Sequence, residues 1–219
     1  MKQNIELSSE IRNEYPEIIK VYQKAFGGEP WYEKSKCVDS ALRCIGGLSA
    51  TAVGQTCTIC ELSPTMPAYP KEELVTKFES LNASKEIRWY IERQNSRIAL
   101  AACAWRACGN DIVRDRYSDN PNMQTWLDAR LKEQPVTYLD EVFAQKTIRP
   151  QGNLKNFESM CLRFMDSLST SILCFRTINK AMVRAAERDF GVCAKVYERN
   201  TDVPDRRDFV IINIEGIKA

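Results

Sequence analysis

The spacing of apolar residues along the chain predicts alternating strands and helices. Apolar side chains recur every three or four residues, the spacing of one helix face, in four segments: 15–26, 71–81, 154–168 and 179–190. Extended apolar runs predict strands at 5–8, 86–93, 97–106, 136–147, 171–177, 193–199 and 208–214. The order β-α-α-β-β-(α)-β-α-β-α-β-β indicates a mixed sheet flanked by helices, an α/β or α+β fold.

The amino-acid composition limits the catalytic chemistry and the partners that this chain can have. The chain has 219 residues, a formal net charge of +2, nine cysteines and no histidine. The missing histidine excludes Ser-His-Asp and Cys-His nucleophile activation, so proton transfer must use carboxylates, Tyr, Cys, Lys or bound water. The small net charge disfavours nucleic acid as a partner. Without a signal-like or membrane-spanning apolar run, we expect a cytoplasmic protein with reduced thiols and no membrane partner.

Four of the cysteines lie in the Pro- and Gly-rich segment 27–70, with the spacing C-x6-C-x12-C-x2-C: Cys37, Cys44, Cys57 and Cys60. A CxxC turn brings two thiolates to one tetrahedral ion, and a second pair completes a structural zinc site. Cys44 departs from the usual knuckle spacing. A redox pair and four unliganded thiols are the alternatives. The other five cysteines have apolar neighbours, and we expect them to pack in the core.

A second candidate site lies where a predicted strand leads into the strongest predicted helix. Residues 140–148 run through a turn that contains Gly152 into a helix from Leu154. Such a junction directs unpaired backbone N–H groups, aided by the helix dipole, to one point that suits a pyrophosphate. Gly152 would let the ligand approach the backbone closely.

This strand–turn–helix resembles the GNAT superfamily of acetyl-CoA-dependent N-acetyltransferases. The family motif Gln/Arg-x-x-Gly-x-Gly/Ala stands here as Arg149-x-x-Gly152-x-Leu154, with Leu154 in place of a small residue. Asn179 begins a helix similar to the family's Asn-capped helix, and the element order also matches, apart from an insertion at 109–134. The resemblance implies one domain over residues 1–219, with a mostly antiparallel sheet that splays between its fourth and fifth strands.

The resemblance also implies where acetyl-CoA would bind. Main-chain groups of Phe143, Ala144 and Gln145 would pair with the pantetheine arm as if it were an added strand. The pyrophosphate would be held by Arg149 and by the backbone N–H groups of four residues: Gln151, Gly152, Asn153 and Leu154. Asn179 would lie beside the cofactor, and the thioester would lie at the splay near Glu141.

For catalysis, Glu141 is the candidate base that accepts the amine proton, directly or through water. The alternative interpretation of Glu141 is a surface or salt-bridged carboxylate. Ala186 stands where the family has its proton-donating tyrosine, so either Tyr197 serves or the thiolate leaves without a dedicated acid. The resemblance implies direct transfer of an acetyl group to an amine in a ternary complex. The alternative function is a weak or inactive GNAT-like domain that binds acyl-CoA or a protein partner.

In similar proteins the loop between the first two helices covers the acceptor, and here that loop carries the cysteines and also Trp31, Tyr32, Glu33 and Tyr69. Trp31 and Tyr32 would stack on or enclose an amine of a small molecule or peptide, and Glu33 would attract its cation. Alternatively, Phe26, Pro30 and Trp31 only hold the loop on the core. The 109–134 insertion, with a helix predicted over 121–132, is either a lid or homodimer contact or a surface helix packed on the sheet. A zinc-stabilised nucleic-acid module would need more basic residues around the cysteines.

Overall fold

A computed structural model describes residues 3–28, 32–39, 48–117, 120–131, 133–145, 156–177, 179–197 and 208–215. In chain order the elements are β1 (Gln3–Ser8), α1 (Tyr15–Phe26), β2 (Ser35–Cys37), β3 (Thr65–Pro67), α2 (Lys71–Ser84), β4 (Ile87–Gln94), β5 (Arg97–Cys108), α3 (Gly109–Tyr117), α4 (Pro121–Asp128), β6 (Pro135–Ala144), α5 (Phe157–Ser167), β7 (Ile172–Thr177), α6 (Lys180–Phe190), β8 (Ala194–Tyr197) and β9 (Asp208–Asn213). The predicted helix at 15–26 and the predicted helix end at Phe190 are confirmed to the residue.

The main sheet has seven strands in the order β1-β4-β5-β6-β7-β9-β8. Neighbouring strands are antiparallel except β6 and β7, which are parallel. The paired residues of β6 and β7 are Thr137 with Leu173 and Tyr138 with Cys174, and beyond them the two strands diverge. The predicted fold, a mixed and mostly antiparallel sheet with a splay between its fourth and fifth strands, is therefore confirmed.

Helices cover both faces of this sheet. On one face, α1 and α2 bury a stripe that includes Ile18, Tyr22 and Phe78. On the other face, α5 and α6 bury Phe164 and Ala186 among their apolar neighbours. The apolar stripes read from the sequence are thus the buried faces, because each helix has to remove one side from water to pack on the sheet.

A β-bulge in β6 decides which face Glu141 occupies. Leu139 pairs with Ala104 and Glu141 pairs with Cys103, so Asp140 is the extra residue. An extra residue exchanges the faces taken by all later side chains of the strand. Leu139 packs with the α5–α6 cluster, whereas Cys103, directly opposite Glu141, packs with the α1–α2 cluster. The bulge therefore directs Glu141 toward α1 and α2.

The insertion differs from its prediction. It contains two helices, α3 and α4, and α4 ends at Asp128 instead of continuing to residue 132. The rings of Tyr117 and Trp126 lie 5.7 and 6.2 Å from that of Phe209 in β9, so the helix pair packs on the sheet, as one of the two interpretations had it. The charge-rich sequence of α3 carries too few apolar residues for a recognisable stripe.

The cysteine-bearing segment is also more regular than expected, because β2 and β3 form a separate two-stranded antiparallel ribbon within it. Among the described residues, no helix has the length and apolar character needed to cross a bilayer.

Candidate active site at the splayed strands

A cavity of about 290 Å³ opens where β6 and β7 diverge. Residues 139–142 of β6 and 175–177 of β7 form its floor, and Tyr22 of α1 and Lys77 of α2 lie among its other lining residues. A further part is formed by Glu33, Leu48 and Tyr69, which come from the cysteine-bearing segment or adjoin it. We call these three residues the loop wall. The cavity thus joins the sheet, both helices of one face and the segment that carries the cysteines.

Glu141 is an enclosed acid in this cavity. Its side chain is 14% exposed, and its Oε1 accepts a hydrogen bond of 3.2 Å from the hydroxyl of Tyr22. The ammonium of Lys77 donates to the same oxygen, and the Lys77 side chain is 39% exposed. Lys77 Nζ also lies 5.4 Å from the centroid of the Tyr22 ring, a cation–π distance. The structure thus shows the salt-bridged carboxylate that was the alternative interpretation of Glu141, and its role as a base stays a prediction.

The electrostatics of this trio favour a charged pair with a neutral tyrosine beside it. Burial raises the pKa of Glu141, and Lys77 opposes that rise. Burial lowers the pKa of Lys77, but the Glu141 carboxylate, with smaller contributions from Asp140 and Cys103, raises it, and the net pKa lies above the ordinary lysine value. Burial and then Glu141 raise the pKa of Tyr22, so its hydroxyl keeps its proton and donates it.

The backbone of β6 bears on the predicted pantetheine contact of Phe143, Ala144 and Gln145, which stays a prediction. Gln145 donates its N–H to the carbonyl of Ala99 at 2.9 Å, so this N–H is used within the sheet. In an antiparallel pair, alternate residues bond to the same neighbour. Val142 and Ala144 therefore direct their backbone groups toward the β7 side, whereas Phe143 and Gln145 direct theirs toward β5. The sequence could not reveal this alternation without the register.

The predicted pyrophosphate turn falls outside the described residues, and with it five predicted site residues: Arg149, Gln151, Gly152, Asn153 and Leu154. Asn179 is described and is confirmed as the cap of α6, because its side chain accepts a hydrogen bond of 3.0 Å from the N–H of Ala181. Its own N–H donates to the hydroxyl of Thr177, which lines the cavity. A role for Asn179 beside a cofactor stays a prediction.

Of the predicted acceptor residues, Glu33 lines the cavity and accepts a hydrogen bond from the hydroxyl of Tyr69. Gln23 donates to the carbonyl of Tyr69 at 2.7 Å, and the Tyr69 ring stands edge-on to Tyr22 at 5.1 Å. Tyr32 is 45% exposed and is not among the residues that line the cavity, and Trp31 falls outside the described residues.

The structure does not bring Tyr197 together with Glu141. Tyr197 lies on β8, which β9 and β7 separate from β6, and its ring packs against Trp126 at 5.2 Å. It is not one of the described residues that line the cavity. Ala186 is fully buried in the core beneath α6.

Sequence reasoning missed Tyr22 and Lys77 as site residues. Tyr22 fits the apolar stripe of α1, so its spacing predicted only core packing. Lys77 stands between the apolar residues Leu74 and Phe78, and this position at the edge of a buried stripe was the one available signal. Their common partner, Glu141, is far away in the chain and only the fold brings it near.

A second site is formed by cysteine thiols. The Sγ atoms of Cys37, Cys57 and Cys60 all lie within 4.8 Å of one another, and Cys44 falls outside the described residues. Cys37 Sγ and Cys60 Sγ are 3.7 Å apart, close to the roughly 3.8 Å expected for two thiolates about 2.3 Å from one tetrahedral zinc ion. Backbone N–H groups of Leu62 and Ser63 lower the pKa of Cys60 to about 6. These donors fit a soft divalent ion, and zinc stays a prediction.

The remaining cysteines are divided between core and half-buried positions. Cys103, Cys161 and Cys174 are fully buried, as predicted. Cys108 and Cys193 are only half-buried, because they lie at the ends of β5 and of the short turn before β8.

Comparison with known proteins defines the fold. No protein-family model matches the sequence, and no curated protein matches it. Solved structures do match. A histone acetyltransferase HPA2-related acetyltransferase of Corynebacterium glutamicum is 12% identical with a TM-score of 0.53, over 97% of each chain. The PaiA N-acetyltransferase of Thermoplasma acidophilum with coenzyme A is 9% identical with a TM-score of 0.50, over 96% of this chain and 99% of that one.

A third match is an aminoglycoside N-acetyltransferase in complex with coenzyme A, 11% identical with a TM-score of 0.50, over 94% of this chain and 95% of that one. At these identities the likeness establishes the fold alone. The chain has the fold of the GNAT acetyltransferases along nearly its whole length.

Proposed function

We propose that this protein is a single-domain acyltransferase that moves an acetyl or related acyl group from coenzyme A to an amine. The observation that carries the proposal is the enclosed carboxylate of Glu141, held by Tyr22 and Lys77 inside a cavity at the point where β6 and β7 diverge. The fold supports it, as does the coenzyme A held by two of the structures that this chain resembles.

In this proposal the pantetheine arm lies along the side of β6 that faces β7, and pairs with the backbone as an added strand. Val142 directs its backbone groups to that side. The pyrophosphate would be held by Arg149 and by the backbone from Gln151 to Leu154, and Asn179 would lie at the end of β7 beside the cofactor.

The reaction we propose is direct attack by the amine on the thioester carbonyl carbon. A C–N bond forms, the C–S bond breaks, the amine proton passes to Glu141, and the coenzyme leaves as its thiolate. Lys77 opposes the effect of burial on Glu141, so it keeps the carboxylate available as a base. Tyr22 holds the carboxylate oxygen in place through its hydroxyl. Glu33 would attract the cationic form of a small-molecule or peptide amine, which would give up one proton to solvent so that the neutral amine attacks.

We also propose that zinc occupies the thiol cluster as a structural ion. Cys37, Cys57 and Cys60 would supply three thiolates, and Cys44 would supply the fourth. Four thiolates without histidine suit zinc, and a closed tetrahedral set is typical of a structural role.

A second candidate function is binding of acyl-CoA without turnover. The buried position of Ala186 favours it, because no tyrosine stands where the family's proton donor would be, and Tyr197 packs against Trp126 instead.

One experiment separates the two functions. Calorimetry would measure binding of acetyl-CoA, and release of free thiol would then be followed with spermidine, an aminoglycoside, free amino acids and a short peptide, against a blank without amine. Binding with amine-dependent release supports the acyltransferase. Binding with no release from any amine supports the second candidate. Absence of acetyl-CoA binding overturns both.

A further inference from the structure

The ribbon of β2 and β3 joins the thiol cluster to the loop wall of the cavity. Glu33 lies two residues before β2, and Tyr69 lies two residues after β3. Leu48 precedes Ser49, which exchanges backbone hydrogen bonds of 2.8 and 3.0 Å with Ser35. Each loop-wall residue is therefore no more than two positions from a residue bonded into this ribbon.

The thiols lie at the opposite end of the same ribbon. Cys37 is the last residue of β2 and pairs with Thr65. The N–H of Cys57 donates to the carbonyl of Ser63 at 2.8 Å, and that of Val38 donates to Pro64 at 3.2 Å. The Cys57–Cys60 turn is thus bonded to the chain just before β3, and Cys37 holds the end of β2.

Polar contacts such as the hydrogen bonds of the Thr65 hydroxyl to the carbonyls of Ala52 and Gln55 help to hold the ribbon, but its apolar packing is small. Its register has three residue pairs, and an isolated two-stranded ribbon is only marginally stable in water. The apolar cluster that the described residues form here consists of Cys37 and Cys57 with Cys60 packed against them. The place of a hydrophobic core is therefore taken by three sulfur atoms, which is typical of small units that a metal ion folds.

We propose that a thiolate-bound divalent ion of the zinc class controls the acceptor side of the cavity by holding the loop wall in place. The ion would fix one end of the ribbon, and the other end would then hold Glu33 and Tyr69 against α1 and keep Leu48 at the cavity. The assignment of this wall to the acceptor rests on the proposed function. The coupling between metal and wall rests on the ribbon alone.

A second connection runs from the ribbon to α2. Lys36 in β2 forms an ion pair of 2.5 Å with Glu73. Glu73 and Lys77 are one helical turn apart on α2, and Lys77 contacts Glu141. The ribbon is thus connected to the partner of the proposed base as well as to the loop wall.

The acyl-CoA side should not depend on the metal. It is formed by β6, β7 and α6, which the seven-stranded sheet and the α5–α6 core hold in place. Metal removal is therefore expected to loosen one side of the cavity and to leave the other side intact.

Hydrogen exchange of the full-length protein, followed by mass spectrometry, would test this coupling in zinc-loaded and metal-free samples. Without zinc, peptides covering 32–39 and 63–69 are expected to exchange about tenfold faster or more, while 98–104 in β5 is unchanged. The affinity for acetyl-CoA, measured by calorimetry on the same samples, is expected to stay within about twofold.

Two variants sharpen the test. With zinc present, Cys57→Ser is expected to exchange like the metal-free protein. Cys108 is a half-buried cysteine outside the cluster, so Cys108→Ser is expected to exchange like the zinc-loaded protein. Failure to bind zinc, unchanged exchange of the ribbon peptides, or equal acceleration of 98–104 would each overturn the proposal. Loss of acetyl-CoA binding in zinc-loaded and metal-free samples alike would instead overturn the proposed function, because the exchange result does not depend on it.

Discussion

Lys77 of α2 donates to Oε1 of Glu141 in β6, across 64 residues of sequence and at the floor of the cavity. The pair joins the helix layer to the diverging strands. Because the bulge at Asp140 directs Glu141 to this face, a strand with regular alternation would have turned the carboxylate toward α5 and α6. The contact therefore depends on one extra residue in one strand.

Glu141→Gln is expected to lower kcat/KM by about 10²–10⁴-fold, the range of a general base. Glutamine keeps the size of the side chain and an oxygen for the Tyr22 hydroxyl, but cannot take the amine proton. The measurement is amine-dependent thiol release together with acetyl-CoA affinity by calorimetry, and the affinity is expected to be unchanged. An unaltered pH profile of kcat/KM in the variant would exclude Glu141 as the base.

Lys77→Met is expected to move the acidic limb of the pH profile of kcat/KM to higher pH. Lys77 opposes the rise that burial imposes on the pKa of Glu141, so its removal lets that pKa rise further. The carboxylate then becomes a base only at higher pH. If the acidic limb of the kcat/KM profile does not move, a group other than Glu141 is responsible for it.

The same variant makes a prediction about stability. A carboxyl whose folded pKa lies above its unfolded value favours folding at low pH, and that contribution is lost as pH rises through the folded pKa. Lys77→Met raises the pKa of Glu141 in the folded protein further, so more stability is lost as pH rises. The variant should therefore be destabilised more near about pH 8 than near about pH 4. Since the Lys77 side chain is 39% exposed, about 1–2 kcal/mol is expected instead of the roughly 3–5 of a fully buried pair. Urea unfolding at both pH values measures the difference, and Lys77→Met in a Glu141→Gln background should lose the pH dependence.

The fold could be predicted from sequence because its helices are amphipathic and their ends are marked. Asn179 and Gly191 bound α6, and the apolar spacing from Ile18 to Phe26 gives α1. The helix α3 could not be predicted, since its contact with the sheet is made by few residues, such as Ile112 and Tyr117.

The candidate site could be predicted only in part. Glu141 and the cysteines carry local signals: a carboxylate at the splay of a resembling family, and a CxxC turn. Tyr22 carries none and Lys77 has only its position beside a buried stripe, because their role comes from a contact between α1, α2 and β6. The neighbouring strand toward which Val142 directs its backbone N–H and C=O groups depends on the strand register. In a central strand that is buried on both faces, the apolar pattern does not specify that register.

Asn179 offers a pair of variants that separates its two roles. Asn179→Ala removes the acceptor for the N–H of Ala181 and is expected to cost about 1 kcal/mol of unfolding free energy, whereas Asn179→Ser retains a capping oxygen and should cost far less. Both variants lack the amide, so both are expected to weaken acetyl-CoA binding. If both bind acetyl-CoA like the unmodified protein, Asn179 acts only as a cap.

Tyr197→Phe is expected to change kcat/KM by less than about threefold, because removal of a general acid would cost 10²-fold or more and Tyr197 packs on Trp126 away from the cavity. The matched variant Tyr22→Phe removes the hydroxyl bonded to Glu141 and should lower kcat/KM more strongly. A hundredfold loss in Tyr197→Phe with normal unfolding would restore Tyr197 as the proton donor.

Replacement of the cluster cysteines should remove zinc. Cys37→Ser, Cys57→Ser and Cys60→Ser each take one soft thiolate from a set whose Sγ atoms lie within 4.8 Å of one another. Purified protein is expected to carry about one zinc ion per chain, and each variant less than about 0.2, because a tetrahedral site binds far more weakly with three thiolates than with four. Metal analysis by mass spectrometry, without chelator in any buffer, gives the ratio.

Cys193→Ser is the matched control, since Cys193 is a half-buried cysteine outside the cluster, and it should retain the full zinc content. Cys44→Ser tests the fourth ligand. Zinc content as low as in Cys57→Ser would assign Cys44 to the site, and full content would leave the fourth position to water or to another residue. Unmodified protein with less than about half an equivalent of zinc would contradict the metal site altogether, because a closed thiolate set retains its ion through purification.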